Sequence, residues 1–388
     1  MSLSGLLRVI ADDPQLRRAL ELADGETSHP ALSATAGADL VGPPALRPLL
    51  AAALTGQGGS SPRGTGQSGT GQGGTGALGT AQGGGTGQPP AAGRFVLAVT
   101  ATAREAEELT AALNSLLPAG SAAYFPPWET LPHERLSPRS DTSGQRIAVL
   151  RRLAHPGDNS DPRSGPLSIV ATPVRGLLQP IVGGLGDLPP VRLQAGQEAD
   201  LDEVVVRLVD IGYARTDLVE KRGELAIRGG ILDVFPPAEE HPVRIEFWGD
   251  TVEDVRFFKV ADQRSLQTAA DGLWAPPCRE LLLTPAVREK AKELAAEHPG
   301  LSEVLGKLAD GITVEGMEAF APVLADRMDL LLDYLPRGGC VLACDPERIR
   351  ARAADLVRTS QEFLEASWVN AAAGAEVPIG RASCRERV

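Results

Sequence analysis

Three places in the chain gather side chains that could do chemistry. The first is Trp128-Glu-Thr-Leu-Pro-His-Glu134, where Glu129, His133 and Glu134 put two carboxylates around an imidazole. Such a set could move protons or hold a divalent metal, but the stretch offers no further convergent ligand, and catalysis there is not expected. The second is Cys340-Val-Leu-Ala-Cys344, the one near pair among four cysteines (Cys278, Cys340, Cys344, Cys384). A strand there would point both thiols the same way. With no histidine or second pair close by, buried structural thiols in a reducing compartment are expected rather than metal or redox chemistry. The third is the glycine-rich stretch 56–93, which invites comparison with a phosphate loop. A Walker loop needs Gly-x-x-x-x-Gly-Lys-Ser/Thr, with the lysine on the phosphates and the hydroxyl on magnesium. That stretch contains no lysine, and the Gly306-Lys307 pair further on is followed by Leu308. No catalytic, cofactor-binding or metal-binding residue is therefore assigned.

The elements that surround these places follow from periodicity. Leu3, Leu6, Leu7, Ile10, Leu16 and Leu20 recur at helical spacing and predict an amphipathic helix over 1–23; 38–54 reads as a second, alanine-rich helix. Residues 56–93 carry Arg63 as their sole charge and no aromatic side chain, so they are expected to be a flexible linker. Then strand and helix alternate: a strand over 95–99, a helix capped by Thr102, strands over 122–125 and 167–171, and a helix over 146–153. That rhythm predicts a parallel sheet with helices packed on it.

Near residue 190 the texture changes. Asp200-Leu-Asp-Glu203 has the form of a capping box, followed by Val204, Val205, Leu208 and Val209 as one apolar helix face. Strands are expected over 224–228, 231–235, 243–248 and 251–260, with Gly249-Asp250 as a hairpin turn and Gly229-Gly230 as a bulge or bend. Alternation in Val243-Arg-Ile-Glu-Phe247 places Arg244 and Glu246 on one polar sheet face. Helices over 285–297, 301–308 and 346–366 and a strand over 340–344 complete the pattern. Trp128, Trp248 and Trp274 are expected in cores or at domain junctions.

Phe125-Pro-Pro-Trp-Glu-Thr-Leu-Pro-His-Glu-Arg-Leu-Ser-Pro138 resembles the bacterial transcription–repair coupling factor family (Mfd). A second block, Gly212-Tyr-Ala-Arg-Thr-Asp217, Gly223-Glu-Leu-Ala-Ile-Arg-Gly-Gly-Ile-Leu-Asp-Val-Phe-Pro236 and Val243-Arg-Ile-Glu-Phe-Trp-Gly-Asp250, is similar to domain 2 of the module that Mfd shares with the excision-repair protein UvrB. The resemblance implies an α/β fold: a degenerate helicase-like (RecA-like) parallel-sheet domain interrupted by a small α+β domain. It divides the chain into 1–177 and 271–378 as the two parts of the helicase-like domain and 178–270 as the UvrB-like domain. It further implies UvrA as partner, with Arg215, Arg228, Arg244 and Glu246 at the polar positions that face UvrA. ATP and magnesium, and contacts to DNA and RNA polymerase, would belong to a full-length parent with a motor; none is expected in this stretch.

Residues 379–388 resemble a translated sequencing adapter and are expected to be a spurious tail on a truncated chain. Two other functions stay open: a UvrB-type ATP-dependent repair subunit, against which the missing Walker loop argues, and a stand-alone binding scaffold. The formal charge of -12 removes whole-chain attraction to nucleic acid. With no apolar run long enough to cross a bilayer and no basic-then-apolar leader, a cytoplasmic protein with no membrane contact is expected.

Overall fold

The computed structural model describes residues 39–56, 94–130, 136–159, 161 and 163–372, with Pro14, Arg17 and Leu20; over 364–372 it describes the backbone alone. His133, Glu134, nearly all of the 1–23 helix and the 56–93 linker, and the 379–388 tail lie outside the described residues. The expected 38–54 helix is shorter. A 3-10 turn over Pro44–Leu46 precedes α1 (Arg47–Leu54), because Pro43 and Pro44 hold the chain ahead of them out of helical geometry.

Four parallel strands, β1 (Val96–Thr100), β2 (Ala122–Tyr124), β3 (Ile169–Pro173) and β14 (Cys340–Ala343), form one sheet in the order β14-β1-β3-β2. Every residue of β1 is buried, as an unbroken apolar strand in a parallel sheet must be. Val96 and Ala98 face one core with α1 and α2 (Ala103–Leu116), while Leu97 and Val99 face another with α3 (Ser140–Ala154). Thr102 starts α2 with a full capping box: its Oγ1 accepts the Glu105 amide at 3.3 Å, and Glu105 Oε2 accepts the Thr102 amide at 3.1 Å. A long helix, α9 (Pro346–Ala372), adds Ile349, Ala353 and Leu356 to the second core.

Between β3 and β14 the chain makes a long excursion. It passes through α4 (Val174–Leu178), β4 (Ile181–Val182) and β5 (Val191–Leu193), and β5 pairs antiparallel with β12 (Leu273–Ala275) to form a neck. Above the neck stand α5 (Leu201–Asp210) and a six-stranded sheet ordered β11-β10-β9-β8-β7-β6. Its strands are β6 (Ala214–Arg215), β7 (Glu224–Arg228), β8 (Ile231–Val234), β9 (Val243–Trp248), β10 (Thr251–Phe258) and β11 (Ser265–Thr268). Below the neck, α6 (Pro285–Glu297), α7 (Ser302–Ala309) and α8 (Ala321–Leu324) close over their own core of Leu281, Leu305, Leu308 and Met317, and β13 (Met328–Asp329) returns to pair with β4. The chain is thus mixed α/β, a parallel sheet interrupted by a small α+β unit.

Two local expectations change. Gly229-Gly230 is the two-residue turn of a β7–β8 hairpin, with Arg228 opposite Ile231, and not a bulge; Gly229 has φ +61°. The register shift lies in β10 instead, between Val252 and Asp254. In α5, Asp200 accepts the Glu203 amide at 2.9 Å, and Val204, Val205 and Leu208 are buried, but Val209 turns outward at 46 % exposure.

The units meet around one buried ion pair. Arg146 on α3 is fully buried, its Nε 2.6 Å from Glu280 Oε1 and its Nη1 2.9 Å from the Pro126 carbonyl. Trp128 Nε1 donates to the same Glu280 oxygen at 2.6 Å, and the guanidinium lies 4.4 Å from the Phe125 ring centroid. A second clasp holds the six-stranded unit from the side. Arg163 donates to Asp161 (2.7 and 2.9 Å), to Glu239 (2.6 Å) and to the Asp271 carbonyl (3.3 Å), and stacks over Trp274.

Arg146→Met should strand the Glu280 carboxylate in the interior and cost about 3–5 kcal/mol in urea unfolding, whereas Arg146→Met with Glu280→Leu should recover most of the loss. Burial pushes the Asp161 carboxyl up, but its bonds to Arg163 outweigh this and leave it below the usual aspartate range. Its contribution is therefore complete above the unfolded value of about 3.9 and fades as pH falls through the lower folded value. The stability difference between wild type and Asp161→Asn should be constant from pH 8 to about 5 and narrow on further acidification; a difference that did not narrow would contradict this assignment.

Candidate functional site

The six-stranded sheet has one dry face and one wet face. Leu225, Leu232, Val234, Val243, Ile245, Phe247, Val252 and Val255 point into the core under α5. The opposite pleat carries Ala226, Arg228, Ile231, Asp233, Arg244, Glu246 and Trp248, as the registers Ala226↔Asp233↔Arg244 and Arg228↔Ile231↔Glu246 dictate. One end of this outer face is roofed by a small cluster of Val219, Ala226, Phe235 and Phe258. The other end is open.

Asp233 lies between the two ends, 1 % exposed, in the otherwise apolar strand Ile231-Leu-Asp-Val234. A buried carboxylate requires cationic or hydrogen-bonding partners, and Asp233 has two arginines. Arg244 grips it side-on, Nε to Oδ1 at 2.7 Å and Nη2 to Oδ2 at 2.9 Å, while its Nη1 donates to the Gln263 carbonyl at 3.1 Å. The Arg244 guanidinium also lies 4.5 Å from the Phe258 ring centroid. Its pKa is raised, first by the hydrogen bond to Asp233; burial opposes this, and the charges of Asp233 and Glu246 add to it. Arg228 reaches the same carboxylate from β7, Nη2 to Oδ2 at 2.7 Å.

The structure brings three of the four predicted residues together. Arg228, with its side chain 47 % exposed, Arg244 at 14 %, and half-buried Glu246 share the outer face. Arg215 is exposed on the short edge strand β6, in register with the core-facing Leu225, which places it on the opposite pleat. Of the residues weighed for acid–base chemistry, Glu129 accepts hydrogen bonds from the Thr142 hydroxyl and the Arg139 amide.

Trp128 and Trp274 are buried at the junction as expected, but Trp248 is not: it stands 80 % exposed at the open end of the outer face. It closes β9 just before the turn Gly249-Asp250, where Gly249 has φ +58°. The parity of β9 places it on the same side as Arg244 and Glu246. Asp254 and Arg256, bonded to each other on the neighbouring strand β10, complete the rim. Tryptophan and arginine are among the residue types enriched at the energetic centres of protein–protein interfaces, and this face exposes both.

Residues 191–276 match the family described as the UvrB interaction domain. The chain is 53 % identical over 289 residues to the transcription-repair-coupling factor of Mycobacterium tuberculosis (strain CDC 1551 / Oshkosh), a match covering 72 % of this chain and 23 % of that protein. It is 28 % identical over 295 residues to the transcription-repair-coupling factor of Bacillus subtilis (strain 168), covering 69 % of this chain and 24 % of that protein. With the transcription-repair-coupling factor of Escherichia coli (strain K12) it shares 30 % identity over 141 residues, 36 % of this chain and 12 % of that protein. The chain spans about a quarter of the length of the first two of these relatives.

Trp248→Phe should reduce the part of the tryptophan fluorescence that iodide quenches. An unchanged quenching curve would place the indole under cover.

Proposed function

The chain is a homologue of the N-terminal region of transcription-repair-coupling factors, and from that premise we propose that its α+β unit is a docking module for UvrA. The observation that carries this reading is the outer sheet face, where Trp248 stands exposed at the open end and Arg228 is nearly half exposed on the same pleat. The face suits a protein partner better than a nucleic acid, because Arg228 and Arg256 alternate there with Glu246 and Asp254 and leave no basic stripe. Trp248 supplies apolar area, and Arg228 supplies directed hydrogen bonds to a carboxylate or carbonyl on the partner. Glu246 and Arg256 at the rim set register and encounter rate more than affinity.

In this proposal the chain recruits and does not itself turn over nucleotide. ATP and magnesium, together with contacts to RNA polymerase and DNA, fall to further parts of a longer coupling factor. No helix among the described residues is long and apolar enough to cross a membrane, so the module carries no helical membrane anchor there.

Titration of the chain into purified UvrA should give a saturable complex. Trp248→Ala and Arg228→Ala should each weaken it by about tenfold to a hundredfold, with circular dichroism unchanged. Wild-type affinity in both variants would move the interface off this face.

A further inference from the structure

The two arginines around Asp233 are not equivalent. Arg244 has all three of its guanidinium nitrogens engaged, two on Asp233 and one on the Gln263 carbonyl, with its plane against Phe258. Three of its five N–H groups are used inside the sheet, and only 14 % of the side chain is exposed, so little of it is offered to a partner. Arg228 makes one recorded bond, Nη2 to Asp233, and among the described residues its Nε and Nη1 have no protein acceptor. Its side chain is nearly half exposed on the strand that ends at the Gly229-Gly230 turn. A free surface arginine loses much rotamer freedom when a partner immobilises it, and one anchored in advance loses less.

We propose that Asp233 is a positioning residue for docking: without touching the partner, it holds Arg228 so that the unused N–H groups of that side chain present to a carboxylate or carbonyl of the partner. Arg244 is the strut that keeps Asp233 in place. This rests on the docking function proposed above. The carboxylate is suited to the task because both its oxygens are occupied by Arg244 while Oδ2 retains capacity for Arg228. Its burial, at 1 % exposure, keeps competing water away.

The test is a double-mutant cycle on the full chain, titrated calorimetrically against purified UvrA, with thermal unfolding of each variant alongside. Asp233→Asn preserves shape and removes the charge; it should weaken binding by about tenfold or more, as should Arg228→Ala. The two together should be little weaker than Arg228→Ala alone, because the carboxylate acts only through that arginine. A purely structural role would instead lower the unfolding midpoint and weaken binding equally in both backgrounds. Additive losses, or wild-type affinity in a folded Asp233→Asn, would overturn the proposal. Should Asp233→Asn fail to fold, Arg228→Lys decides: it keeps the positive charge but loses the planar fork. Affinity falling to the level of Arg228→Ala supports positioning, and wild-type affinity overturns it. Trp248→Ala separates the two levels of the argument. If it binds as tightly as wild type, the docking face itself is wrong. If it binds weakly while Asp233→Asn does not, only the positioning role falls.

Discussion

A guanidinium with no exposed surface has to be answered by the protein around it, and the answer to Arg146 organises the molecule. Its carboxylate partner, Glu280, lies just after the six-stranded unit, and the indole that completes the site, Trp128, lies just after β2. Three segments far apart in sequence must converge before the charge is compensated. Arg279, the neighbour of Glu280, reaches the other way to Glu318, which also accepts from the Ser137 hydroxyl. Two consecutive residues therefore tie the parallel-sheet domain, the base of the inserted unit and the helical unit together. Shape complementarity reinforces the joint: a Cβ at Gly144 on α3 would sit 2.2 Å from Pro237, so the loop after β8 packs directly on the helix backbone.

The same chemistry serves another purpose on the outer sheet face. Glu280 and Asp233 are equally sealed, each 1 % exposed, but the cationic partners of Asp233 differ in their reach. One of its arginines is locked, and the other reaches the surface. The inner face is continuous apolar packing under α5, and the shape of the sheet rests chiefly on it. This frees the outer face to carry exposed groups that contribute little to folding.

Much of the fold was legible in the sequence because it rests on local signals. The unbroken apolar run of β1, the Thr102 cap and the alternation Val243-Arg-Ile-Glu-Phe247 each specify an element without reference to distant residues. The outer pairing of Arg244 with Glu246 followed from that alternation. Extending it by one residue pointed Trp248 outward as well; the general tendency of tryptophan to be buried argued the other way, and strand parity proved the stronger signal. Asp233 had a signal too, an acid in the middle of Ile231-Leu-Asp-Val234, where only a paired carboxylate can be accommodated. The Arg146–Glu280 pair had none, since the residues are 134 positions apart and neither flank marks them as partners. Arg215 illustrates a further limit: motif similarity places a residue in a domain, but register decides which face it occupies.

Because β5 and β12 lie side by side, the strand that leads into the six-stranded unit is hydrogen-bonded to the strand that leads out. A segment whose ends meet can be moved between hosts by a single insertion event, and the host needs only to bridge a short gap. The recognised domain, 191–276, begins at the first residue of β5 and ends one residue beyond β12. The unit therefore has the geometry of a transferable cassette, entered and left through one pair of strands.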